Sequence, residues 1–209
     1  MSLTIAKDTR TEQVISKSRF ICSLKKVKTE EEAQDFIKAV KKEFWDATHN
    51  CSAYIIDGQQ QRSSDDGEPS GTAGIPMLGV LRKQGLQQVA AVVTRYFGGI
   101  RLGAGGLVRA YAGSVSQALE EAGLAQKVRV GLYSFACEPG EAGKMLNLLY
   151  QQQIFSIADT IYGAQAVFTL RMPDERKAQA ERWLTERLQK QTELTQIRFE
   201  YEEVPFAER

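Results

Sequence analysis

The chain is poor in the residues that build metal and disulfide sites. Its three cysteines, Cys22, Cys51 and Cys137, are an odd number, far apart, with no C-x-x-C pair. That argues against a disulfide framework and a zinc ribbon, and points to a reducing compartment. Histidine occurs once, at His49, so a His-rich zinc site cannot be built. No apolar run approaches the roughly 20 residues of a membrane span. The N-terminus shows no signal-peptide pattern. The expected location is therefore cytoplasmic, with no membrane partner. A further absence is local. Between Pro69 and Leu119 there is no Asp or Glu, although 25% of the chain is charged; Arg82, Lys83, Arg95, Arg101 and Arg109 all fall there.

Charge also divides the chain. The net charge is only +1, but residues 1–132 carry 18 Lys+Arg against 14 Asp+Glu, and residues 133–209 carry 9 against 12. A +4 half and a −3 half suggest different surfaces and different partners. Two domains are expected, 1–132 and 133–209.

What the acid-free segment does contain is glycine. Val89-Ala90-Ala91-Val92-Val93 reads as a buried strand, and Leu107 to Ala122 as a helix with Val108, Tyr111, Val115 and Ala118 inward. Between them Gly98, Gly99, Gly103, Gly105 and Gly106 occupy five of nine positions. Glycine permits positive φ and close approach of a ligand, and N–H groups at a helix start suit an anion. One reading is a phosphate site served by Arg95, Arg101 and Arg109, most simply for a nucleic-acid backbone. The other is a tight strand–helix turn with solvated arginines. The spacing is neither a P-loop nor a clean dinucleotide fingerprint, and no cofactor is implied.

Other candidates lie upstream. Ser16-Lys17-Ser18-Arg19 lies between strand segments, and Lys17 and Arg19 suit either phosphate or a solvated edge. Thr29 caps a helix whose stripe is Ala33, Phe36, Ile37, Val40 and Phe44. His49 to Ile56 alternates as a strand, and His49 suits either a capping role or proton transfer. Asp57 to Gly74 is a long polar loop, a type that is usually functional or mobile. Within it Asp65, Asp66 and Glu68 suit Mg²⁺ or acid–base chemistry, turn formation, or orientation of Arg95 or Arg101 by ion pairing. No complete metal-ligand set is evident. Pro76 is expected to open a short helix through Lys83. The second half reads as Leu132–Cys137, Gly140–Gln152, Phe155–Tyr162, Ala166–Met172, a helix from Pro173 to Lys190, and Gln196–Val204. This β-α-β-β-α-β order is the ferredoxin-like split βαβ pattern.

Several of these segments together resemble the IMPACT family, including its bacterial YigZ-type members. The motifs are His49-Asn50-Cys51-x-Ala53-Tyr54, Asp65-Asp66-Gly67-Glu68-Pro69-x-Gly71-Thr72-Ala73-Gly74-x-Pro76, and Arg95-Tyr96-Phe97-Gly98-Gly99-x-x-Leu102-Gly103-x-Gly105-Gly106-Leu107-x-Arg109-Ala110-Tyr111. Lys17-Ser18-Arg19-Phe20 fits the family's opening strand. The resemblance implies an α+β first domain, similar to the second domain of a small-subunit ribosomal protein and to domain IV of elongation factor G. It also implies a ferredoxin-like second domain and a role in nucleic-acid or ribosome binding. The RWD module of eukaryotic members is not seen in this sequence, so their mechanism is not carried over.

These readings converge on an RNA- or ribosome-binding protein that modulates translation. Lys17, Arg19, Arg95, Arg101, Arg109 and the glycine backbone would contact phosphate. His49, Asp65, Asp66, Glu68 and Tyr96 would line the same cleft, with Tyr96 or Phe97 stacking on a base if exposed. Two alternatives stay open. One is a phosphotransferase or hydrolase using that cleft, although no nucleophile–base pair is obvious. The other is a protein partner bound through residues 133–209.

Overall fold

The computed structural model describes residues 3–206. In chain order their elements are β1 (Leu3–Ile5), β2 (Thr9–Ile15), β3 (Ser18–Lys26), α1 (Glu30–Glu43), β4 (His49–Ile55), β5 (Gln61–Ser64), α2 (Gly74–Lys83), β6 (Val89–Tyr96), α3 (Gly103–Ala122), β7 (Leu124–Cys137), α4 (Ala142–Leu149), β8 (Ser156–Tyr162), β9 (Ala166–Pro173), α5 (Lys177–Leu188) and β10 (Thr195–Pro205). The architecture is α+β with two sheets. One unit runs to Lys127 and resumes from Glu203; the other covers Val128–Glu202. The boundary between Lys127 and Val128 falls within β7, as does the position expected from charge.

The first unit is organised by an antiparallel sheet ordered β2-β3-β6-β4-β5. Its central strand β6 is buried on both faces, which explains its unbroken apolar run. On one face Val89, Ala91 and Val93 join Phe20, Cys22, Leu24, Cys51, Ala53 and Ile55 under α2 and α3. On the other, Ala90, Tyr54 and Ile56 meet Ala33, Phe36 and Ile37 of α1. The α1 start follows its sequence signal: Thr29 accepts from the Glu32 N–H at 3.2 Å.

Three local expectations need correction. The glycine segment is not all loop, since α3 begins at Gly103 and takes Gly103, Gly105 and Gly106 into its first turn. At Gly106 a Cβ would lie 3.0 Å from the Leu102 Cβ, so a small residue eases that turn. Val108 does not belong to the inner stripe but is exposed; Tyr111, Val115 and Ala118 are buried as expected, joined by Leu107, Ala110 and Ser114. Starting the helix four residues earlier shows which face meets the sheet. In addition, the polar segment after Asp57 is not one loop: β5 pairs with β4 inside it, and α2 begins at Gly74.

In the second unit the order is β10-β7-β9-β8, with α4 between β7 and β8 and α5 between β9 and β10. Strand β9 alternates strictly, with Ala166, Phe168, Leu170 and Met172 turned into a core shared with Met145, Leu149, Ala180 and Leu184. Pro173 ends β9, and α5 starts only at Lys177.

Candidate nucleic-acid interface

The site grows out of one row of the first sheet. Cross-strand register places Arg95 of β6 opposite Phe20 of β3 and opposite His49 of β4. Arg95 continues the Val89, Ala91, Val93 stripe, so its guanidinium is carried to the end of the core beneath α3. Its side chain is only 6% exposed, and a charge so buried needs a partner. Glu68 supplies it: Arg95 Nη1 donates to Glu68 Oε1 at 2.6 Å, and the Tyr111 hydroxyl donates to the same oxygen at 2.8 Å. Arg95 Nη2 donates to Ser18 Oγ at 3.4 Å. The guanidinium also lies 5.4 Å from the ring centroids of both Phe20 and Phe97. His49 closes the row with Nε2 3.8 Å from Glu68 Oε2, while its Nδ1 is 2.8 Å from the Asp66 carbonyl oxygen.

The carboxylates divide their work. Asp65 accepts from the N–H groups of Gly71, Ala73 and Gly74 at 2.8–3.1 Å, and so caps α2 from outside the helix. Burial raises its pKa, but these three donors outweigh that and hold it below the ordinary aspartate value. Asp66 accepts from Lys41 Nζ at 2.5 Å and from the Asn50 N–H at 2.6 Å. Its pKa is pushed up by burial and pulled lower, on balance, by Lys41, Asn50 and His49. Among the described residues no group of three or more His, Cys, Asp or Glu is arranged to hold a metal. Cys51 is buried, which raises its thiol pKa to about 12, and burial also lifts the Tyr111 hydroxyl. Neither is a ready nucleophile near neutrality.

A groove of about 350 Å³ lies where Glu68, Pro69 and Arg95 meet Phe97, Arg101 and Leu102, with Gly103, Ala104 and Leu107 at the start of α3 also lining it. Gly98 is required by a close approach, since a Cβ there would stand 2.0 Å from the Lys17 carbonyl carbon. Its N–H donates to Ser18 Oγ at 3.2 Å. Gly99 and Gly103 take φ of +84° and +69°. Ser16 and Lys17, both at positive φ, form a two-residue hairpin turn between β2 and β3. That turn therefore abuts the glycine segment.

The cations differ in what they do. Arg95 is enclosed and paired with Glu68 through Nη1, so it organises the site from beneath. Arg19 is exposed but forks onto Glu12 at 2.9 and 3.1 Å and lies over the Tyr96 ring. Tyr96 donates in turn to Asp46 at 2.8 Å. Lys17, Arg101 and Arg109 are exposed and, among the described residues, make no ion pair. Arg109 reaches back along α3 to Gly105, where its Nη1 would be 3.7 Å from an added Cβ. Sequence reasoning missed Ser18 as a hub and Pro69, Leu102 and Leu107 as groove walls. It had placed Tyr111 only in the core. Nothing in their local sequence marks these roles.

An Impact N-terminal domain model matches residues 16–119. A second model, a domain of unknown function called DUF1949, matches residues 135–190. The IMPACT family member YvyE of Bacillus subtilis is 47% identical over 177 residues, spanning 84% of this chain and 81% of that one. The chain belongs to the IMPACT family. IMPACT family member YigZ of Escherichia coli is 47% identical over 128 residues, 59% of this chain and 63% of that protein. A solved structure titled as a hypothetical protein shares 36% identity, with a TM-score of 0.59 over 94% of this chain and 97% of its own. The Impact N-terminal match takes in Ser18, His49, Glu68, Arg95 and Tyr111 and every residue lining the groove.

Proposed function

We propose that this IMPACT member binds RNA, free or within the ribosome, through the rim of the groove, and acts in translation. One observation carries the reading: Lys17, Arg101 and Arg109 stand exposed and, among the described residues, without a carboxylate partner beside a glycine-rich helix start that has no acid in its first turn. Cations placed this way suit phosphate. The resemblance to IMPACT proteins supports placing that binding in translation. The strand order of the second unit, with a helix after β7 and after β9, supports the ferredoxin-like reading of that unit. Its exposed Ile161 and Tyr162 on the outer strand β8, 59% and 63% exposed, favour a protein partner there as a second contact.

The test is fluorescence polarisation with a short labelled single-stranded RNA, and co-sedimentation with ribosomes, over salt from about 50 to about 200 mM. Affinity is expected to fall steeply with salt. A full chain with no salt-dependent affinity for either at the low end would overturn the proposal.

A further inference from the structure

The groove is built differently from its rim. Phe97, Leu102, Leu107 and Pro69 give it apolar walls, while the cations stand at its mouth or one turn along α3. Phe97 is 47% exposed although it is large and apolar. The Arg95 guanidinium, 5.4 Å from its ring centroid, leaves the ring half open. Arg95 Nε has no hydrogen-bond partner among the described residues, although the side chain is 6% exposed and lines the groove. A buried donor left unpaired in this way is unusual and suits an acceptor brought by a ligand. The volume of about 350 Å³ lies at the small end of ligand sites.

Resting on the RNA reading above, we infer that the groove seats one unpaired nucleobase of a single-stranded RNA, stacked on Phe97, with neighbouring phosphates on Arg101 and Arg109. The occupant follows from charge and shape. Among the described residues Glu68 is the one carboxylate lining the groove, and its Oε1 is already taken by Arg95 and Tyr111. The cationic mouth selects a polyanion, and the flat apolar wall selects a ring. A base inside a duplex shows only its edge, so only an unpaired base brings its face to Phe97.

The test compares four labelled probes on the full chain at one salt concentration: a single-stranded oligoribonucleotide, its duplex, the same strand with abasic sites, and a mononucleotide. The single strand should bind roughly tenfold tighter than the duplex or the abasic strand. Phe97→Ala should weaken single-strand binding by about tenfold while leaving the salt slope unchanged, and Phe97→Tyr should restore it. Circular dichroism checks that both variants fold, as expected for a ring half in solvent. If wild type binds all strands equally, or Phe97→Ala changes nothing, the base site is wrong and the phosphate contacts stand. A mononucleotide bound as tightly as the strand would give the groove to a small nucleotide and overturn the strand. A wild type that binds no probe would overturn this inference and the RNA reading together.

Discussion

The loop carrying Asp65, Asp66 and Glu68 and the segment carrying Gly98 to Gly106 flank one groove, but they treat charge in opposite ways. In the first, every carboxylate is occupied by protein donors: Asp65 by three backbone N–H groups, Asp66 by Lys41 and Asn50, Glu68 by Arg95 and Tyr111. In the second, Arg101 and Arg109 have no such partner among the described residues. A charge satisfied inside the fold contributes to stability, whereas one left in solvent contributes little to it and is available to a ligand. On the proposed reading, the carboxylate side serves stability and the glycine side serves binding.

The largest effect should come from Glu68→Ala. It would leave the Arg95 guanidinium enclosed without its counter-charge and the Tyr111 hydroxyl without its acceptor. Urea denaturation should show a loss of about 3–5 kcal/mol. A loss below about 1 kcal/mol would mean that the pair is not what holds the row together, and would weaken the division of labour. Gly98→Ala should follow, at about 3 kcal/mol, because the obstacle is the Lys17 backbone and not a side chain that can swing away. This second change tests whether the glycine segment also has a structural post. Gly98 is that post through close approach; Gly99 and Gly103, with nothing within 4 Å of an added Cβ, are held to glycine by their positive φ alone.

How much of this could be read in advance follows the same division. Strands, helices and the α1 cap were legible because apolar period and Thr29 act locally. The juxtaposition of His49, Glu68 and Arg95 was approached only as an expectation of one cleft, since their contact depends on the register of β4 on β6 and on where the loop after β5 folds back. The burial of Arg95 was not legible because an arginine beside glycines looks the same in sequence whether it points to solvent or ends a buried stripe. The helix start at Gly103 was hidden because glycine propensity argues against helix, while tertiary packing of Leu107, Ala110 and Tyr111 decides for it.

A smaller effect is expected at Asp65. Asp65→Ala would unpair the N–H groups of Gly71, Ala73 and Gly74 and cost about 2 kcal/mol. The same carboxylate gives a pH signature. Its folded pKa lies below the ordinary value, so its contribution is fully present above about pH 4 and is lost as pH falls through the lower folded value. Urea midpoints measured from neutral pH down to acid should therefore fall more steeply for wild type than for Asp65→Ala. Parallel acid limbs would show that Asp65 titrates alike in folded and unfolded chains.

The smallest effect on stability is expected from the double change Arg101→Ala with Arg109→Ala. Both side chains are exposed and neither meets a carboxylate among the described residues, so urea denaturation should move by no more than about 0.5 kcal/mol. Binding should change in a different coordinate. Each lost phosphate contact removes about 0.7 from the slope of log K against log salt for a single strand, so the pair should flatten it by about 1.4. Arg19→Ala is the internal control: its guanidinium is already forked onto Glu12, so its removal should change the slope less than either of the others. If the double variant keeps the wild-type slope while Arg19→Ala flattens it, the phosphate contacts lie along β2 and β3 instead of the groove's rim. Satisfied and available charge would then divide the molecule elsewhere.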